Sequence, residues 1–200
     1  MTAAVDPHRD AAIDDNELAL AAARGDKQAF AQLYERHADH VLGYLRSRVG
    51  SWAVAEDLTS ETFIRAYTRI ATFRPQGGGF VGWIFTIARN LAHDLHKSSG
   101  HRREVLDGEL PEITDDRYAP EAYGIAQLDR ERLHACLEQL TPDQHECIRL
   151  RFFAGLSLDE TAAAMGRNVN SIKQLQFRAV RQLSALHDRL DRLAALRTAG

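Results

Sequence analysis

Along most of this 200-residue chain, apolar residues recur every three to four positions, the spacing of one face of an α-helix rather than the alternation of a half-buried strand. The most regular stripe is Phe80, Trp83, Ile84, Ile87, Ala88, Leu91 and Leu95, opposite a face that carries Arg89, Asn90, His93, His96 and Lys97. Upstream, Phe30, Leu33, His37, Val41, Leu45 and Val49 form another stripe, closed by Gly50-Ser51. A further helix runs from Ser51 to about Arg74 with Leu58, Ala66, Tyr67 and Ile70 in helical register, and Glu56, Asp57 and Glu61 gather on its wetter face. Pro75 and Gly77-Gly78-Gly79 remove a backbone donor and make helical order costly, so a loop precedes Phe80.

The period fails from about Ser98 to Tyr123, where Pro111 and Pro120 appear, and between His101 and Ile125 seven acids stand against three arginines. That segment is too polar for a core of its own and reads as a flexible acidic linker. Beyond it Leu128, Leu133, Leu137 and Leu140 resume the pattern. In Thr141-Pro142-Asp143-Gln144 threonine can cap, proline occupies the first helical position and glutamine completes a capping box. Ser157-Leu158-Asp159-Glu160 repeats the device, with Leu158, Ala162 and Met165 facing inward. Gly166 ends that helix and Asn168 can cap the next, along which Val169, Ile172, Leu175, Ala179, Leu183 and Leu186 keep helical spacing.

The result is helix, tight turn, helix, and the second helix is basic: from Arg167 to Arg192 six basic residues face two acids. A helix-turn-helix presents its recognition helix to the major groove in this way, and an ordinary helical hairpin in a bundle is the competing reading. Asn170, Ser171, Lys173, Gln174 and Arg178 are the polar candidates for base edges and phosphates. The overall charge of -3 argues against strong unaided binding to duplex DNA, so a DNA role has to be local or assisted.

With 44% hydrophobic and 26% charged residues the composition is that of a soluble globular protein. Neither a signal peptide nor a membrane span is legible, and two cysteines, Cys136 and Cys147, are too few for a disulfide framework; a cytoplasmic protein is expected. His134, Cys136, His145 and Cys147 lack the spacing of a zinc knuckle, His93 and His96 alone are a weak metal pair, and no metal or other cofactor is expected. The triple glycine lacks the Gly-Lys-Ser/Thr of a nucleotide loop. With no G-x-S-x-G, H-E-x-x-H or Walker sequence, no enzymatic activity is expected.

Two sets of residues, in order, carry a family resemblance. The first is Ala29-Phe30, Leu33-Tyr34, Ala55-Glu56-Asp57-Leu58, Glu61-Thr62-Phe63, Arg65-Ala66-Tyr67, Phe73-Arg74, Trp83-Ile84 and Ile87-Ala88-Arg89-Asn90. The second is Leu140-Thr141-Pro142, Arg149-Leu150-Arg151, Gly155-Leu156-Ser157, Glu160-Thr161-Ala162 and Ser171-Ile172-Lys173. Together they resemble the extracytoplasmic-function sigma factors of bacterial RNA polymerase over roughly three quarters of the chain.

The resemblance implies an all-α fold of two small domains, a region 2-like bundle at 16–98 and a region 4-like helix-turn-helix at 126–190. A disordered N-terminus (1–15), the linker (99–125) and a C-terminal tail (191–200) complete the expected organisation. It implies a protein that directs polymerase to promoters and assists melting, with a stand-alone helix-turn-helix regulator as the alternative. Glu56, Asp57 and Glu61 would dock on the clamp helices of the largest polymerase subunit, where a merely solvated acidic face is the bland reading.

The loop from Gln76 and the following helix would bind the melted minus-ten element through Gln76, Phe80, Trp83, Arg89, Asn90 and His93, although the spacing of Trp83 suits a core position more readily than a base platform. Asn170, Ser171, Lys173, Gln174 and Arg178 would read the minus-thirty-five element. Leu175 and Gln176 depart from the commoner family pattern, so no promoter sequence carries over. The flap of the second-largest subunit and an anti-sigma factor are further implied partners, and the linker would either enter a basic polymerase channel or remain solvated.

Overall fold

A computed structural model describes residues 14–49, 51–99, 137 and 139–198, with side chains described for all of these except 96, 98, 99 and 187–198. Most of the acidic linker, the extreme N-terminus, Leu128, Leu133, His134 and Cys136 lie outside the described residues. Every regular element among the described residues is helical: α1 (Asp15–Ala23), α2 (Lys27–Val49), α3 (Trp52–Arg69) with a 3-10 turn (Ile70–Thr72), α4 (Gly79–Ser99), α5 (Pro142–Ile148) with a π turn (Arg149–Phe153), α6 (Leu158–Met165) and α7 (Val169–Thr198).

In the N-terminal half α2, α3 and α4 turn their stripes together. Phe30, Leu33, His37, Val41, Leu45 and Val49 are all buried, as their spacing predicts, and Asp26 Oδ1 starts α2 by accepting from the amides of Gln28 (2.9 Å) and Ala29 (3.1 Å). On α3 the buried face is Ala55, Thr59, Thr62, Phe63 and Ala66. Tyr67, expected inside, is 47% exposed and only lays its ring edge against Phe30 at 4.9 Å. The helix also ends at Arg69 rather than near Arg74, because Phe73 turns into the core and the residue before Pro75 disfavours helical backbone.

The short helix α1 had no legible stripe. Leu18, Ala19 and Ala22 are its buried contacts, and Asp15 ties it to α2 through Arg36 (2.9 Å) and His37 (2.7 Å).

The C-terminal half follows its local signals closely. Thr141 Oγ1 accepts from the Gln144 amide at 3.4 Å while Gln144 Oε1 accepts from the Thr141 amide at 2.9 Å. Ser157 and Glu160 form the same reciprocal pair at 3.2 and 2.6 Å. Gly166 ends α6 with φ of 63°, a left-handed conformation that costs glycine no Cβ clash. Asn168 Oδ1 then accepts from the Ser171 amide at 2.8 Å.

The π turn between α5 and α6 is a feature the sequence reading did not contain; Arg151 braces it by donating to the Leu156 carbonyl and, at 3.0 Å, to Gln176. The two halves are packed together, and the most extensive contact between any two described elements is that of α4 with α6.

Candidate nucleic-acid interface

The loop before α4 is shaped by glycine and by α1. Gly77 and Gly79 take positive φ (47° and 59°), and the Asn16 side chain fills the place where a Gly79 Cβ would sit while its Oδ1 accepts from the Phe80 amide at 2.9 Å. Asn16 thereby caps α4 from a distant helix. Gln76, Asn90 and His93 are exposed. Phe80 is not: at 1% exposure it lies among Phe73, Trp83 and His37, with ring centroids 6.1, 5.9 and 5.8 Å away. As placed, it anchors the loop and offers no face to a base. Trp83 is half-buried, 5.4 Å from Phe73, on the core side of α4.

On α3, Glu56 and Asp57 are exposed, and Glu61 accepts from Arg65 Nε at 2.6 Å. The acids share the helix with Ile64 and Tyr67, 60% and 47% exposed, and Tyr34 on α2 packs edge-on against Phe63 while remaining 47% exposed. This surface is therefore mixed, acidic and apolar. The expectation from sequence contained only its acids.

On α7, Asn170, Lys173, Gln174 and Arg178 are exposed and Ser171 is half-buried, so the first turns of the second helix offer polar groups to solvent. Leu175 and Gln176 are half-buried, Gln176 being held by Arg151. Their departure from the common pattern thus lies at packing positions. Phe177, 66% exposed, stands between Lys173 and Arg181 in an open groove also lined by Leu158 and Val180.

Between the halves lies a polar cluster that no local sequence pattern announced. Glu146 on α5, 4% exposed, accepts from the Tyr44 hydroxyl at 2.5 Å and pairs with Arg48, both on α2. Arg89 on α4 places its Nε 3.5 Å from the same carboxylate. Burial first, then the neighbouring Glu146 charge, pushes the Tyr44 hydroxyl well above its ordinary pKa, so it remains a donor. Nearby, Gly78 and Gly82 are buried against α6: a Cβ on Gly78 would come within 2.5 Å of Glu160 Cα, and one on Gly82 within 2.7 Å of Ala163 Cβ.

Comparison with known proteins matches these two halves separately. The family model for Sigma-70 region 2 covers residues 33–102 and that for Sigma-70, region 4 covers 130–183. Over 184 residues the chain is 46% identical to the ECF RNA polymerase sigma factor BldN of Streptomyces coelicolor, spanning 90% of this chain and 70% of that protein. The chain belongs to the ECF RNA polymerase sigma factors. The ECF sigma factor SigD of Mycobacterium tuberculosis is 31% identical over 166 residues, or 81% of this chain and 78% of SigD.

Among solved structures, CnrH in complex with the cytosolic domain of CnrY superposes with a TM-score of 0.64 at 29% identity, over 88% of this chain and 97% of CnrH. The sigma factor RpoE of Bartonella quintana, solved with the anti-sigma factor NepR, gives 0.60 at 26%, over 80% and 98%.

As a sigma factor the chain acts in transcription initiation, where it binds RNA polymerase and promoter DNA, and its family is not one of catalytic enzymes. The α4 surface and its glycine loop fall in region 2 of the sigma factor, and the α6–α7 pair in region 4. No group of three or more His, Cys, Asp or Glu placed to hold a metal occurs among the described residues, and no described helix is long and apolar enough to cross a membrane.

Proposed function

We propose a division of labour between the two halves of this sigma factor. Residues 16–98 bind core polymerase and the minus-ten element, 126–190 bind the minus-thirty-five element, and 99–125 link them. Glu56, Asp57 and Glu61, together with the exposed Tyr34, Ile64 and Tyr67, engage the clamp helices of the largest subunit, acids supplying register and the larger side chains supplying burial.

Gln76, Arg89, Asn90 and His93 face the melted minus-ten strand, with Phe80 and Trp83 holding the loop from behind. Asn170, Ser171, Lys173, Gln174 and Arg178 address duplex at the minus-thirty-five element, and the flap of the second-largest subunit supports that half. An anti-sigma factor is a further partner, since the Bartonella RpoE was solved with the anti-sigma factor NepR and CnrH with the cytosolic domain of CnrY. The protein works in the cytoplasm and catalyses nothing itself.

The observation that carries this reading is the placement of two polar, exposed surfaces on separate helices, Asn90 and His93 on α4 and Lys173 and Arg178 on α7. Lys173→Ala with Arg178→Ala lowers affinity for a mapped promoter duplex by about tenfold or more and leaves co-elution with core polymerase intact. Asn90→Ala keeps duplex binding and reduces melting, read by permanganate reactivity of unpaired thymines. Loss of polymerase binding in both variants would contradict the division.

A further inference from the structure

The cluster of Tyr44, Arg48 and Arg89 has the chemistry of an anion seat. Two guanidinium groups and a hydroxyl that burial keeps protonated converge on one carboxylate, and Arg149 adds a third cation beside it. The carboxylate does not satisfy the seat: the Nε donors of both Arg48 and Arg89 are buried with no hydrogen-bond partner. Unpaired buried donors are costly, so the set is not fully matched by its present occupant. A phosphodiester carries the same single charge as a carboxylate on two unbridged oxygens, set tetrahedrally rather than in a plane, so it can take the carboxylate's place in such a set. Arg89 itself is half-buried, at the border between this seat and the exposed surface of α4.

We propose that Tyr44, Arg48 and Arg89 form a binding site for a backbone phosphate of promoter DNA, and that in the isolated chain Glu146 of region 4 occupies this site as an internal competitor. The proposal rests on the reading that α4 faces the promoter. Closure is reinforced by the close approach of Gly78 and Gly82 to α6, which also buries part of the glycine loop that precedes α4. Separation of the two halves withdraws Glu146, frees the loop and exposes the phosphate site in one movement.

The test uses the full-length chain and a fluorescein-labelled single-stranded oligonucleotide of mixed sequence, because a phosphate contact is independent of base sequence. Affinity is measured across a salt series by anisotropy, with the radius of gyration of each free variant from solution scattering. Glu146→Gln expands the free protein, tightens binding and steepens the slope of log K against log salt by about 0.7 for the phosphate gained. Adding Arg48→Met to Glu146→Gln removes that gain. Gly82→Ala opens the same junction by steric contact with Ala163 while favouring the helix it sits in, so it tests closure should Glu146→Gln fold poorly.

Expansion without a gain in affinity would overturn the phosphate site, and unchanged size and affinity in both variants would overturn the closure as well. Run-off transcription by the wild-type chain reads the sigma-factor assignment separately. Initiation by a chain whose Glu146→Gln variant gains no DNA affinity removes this site alone.

Discussion

At Asp15 burial pushes the carboxyl toward its neutral form, yet the hydrogen bond and charge of His37, with those of Arg36, outweigh it and hold the pKa below the usual value. A carboxylate with a depressed folded pKa contributes stability that is present above its unfolded value of about 3.9 and is lost as pH falls through the folded value. Asp15→Asn therefore destabilises the neutral protein by about 1 kcal/mol and flattens the acid limb of stability below about pH 4. Chemical denaturation at a series of pH values reads both effects. Asp14→Asn makes the same charge change at an exposed neighbour, and an equal flattening there would assign the acid limb to overall charge. The stake is more than stability, because α1 also carries Asn16, the cap on α4 beside the glycine loop.

Among the elements, those legible in the sequence are the ones specified by neighbours in the chain. Thr141 with Gln144, Ser157 with Glu160, Gly166 and Asn168 each act within a few residues, and each takes the geometry its spacing predicts. Ser157→Ala is expected to cost about 1 kcal/mol through loss of the α6 cap, while Ser157→Thr largely restores it. Thermal melts of the two variants distinguish a cap from bulk at that position, since equal loss in both would argue against capping. Where a side chain's burial depends on another helix, spacing alone misleads. Tyr67 keeps helical register but emerges at the surface, whereas Phe80 takes the buried place that its stripe predicts, against Phe73, Trp83 and His37. The π turn at Arg149–Phe153 is likewise invisible in periodicity, which continues through it at nearly helical spacing.

Across the whole molecule, the two halves and the acidic stretch between them could be read from composition and period, but their contact could not. Glu146 meets Tyr44 and Arg48 across 102 and 98 residues of sequence, and Gly82 meets Ala163, pairings for which a single chain offers no local signal. That contact sets the functional question for the sigma factor: the two halves proposed to read separate promoter elements are packed together in the chain alone. The most direct measurement of the central claim is run-off transcription with purified core polymerase on sheared genomic DNA from the source organism, with and without the protein. Discrete transcripts that require the protein are the predicted result, and their start sites define its promoter elements. Absence of such transcripts, together with failure to co-elute with core polymerase, would contradict the account.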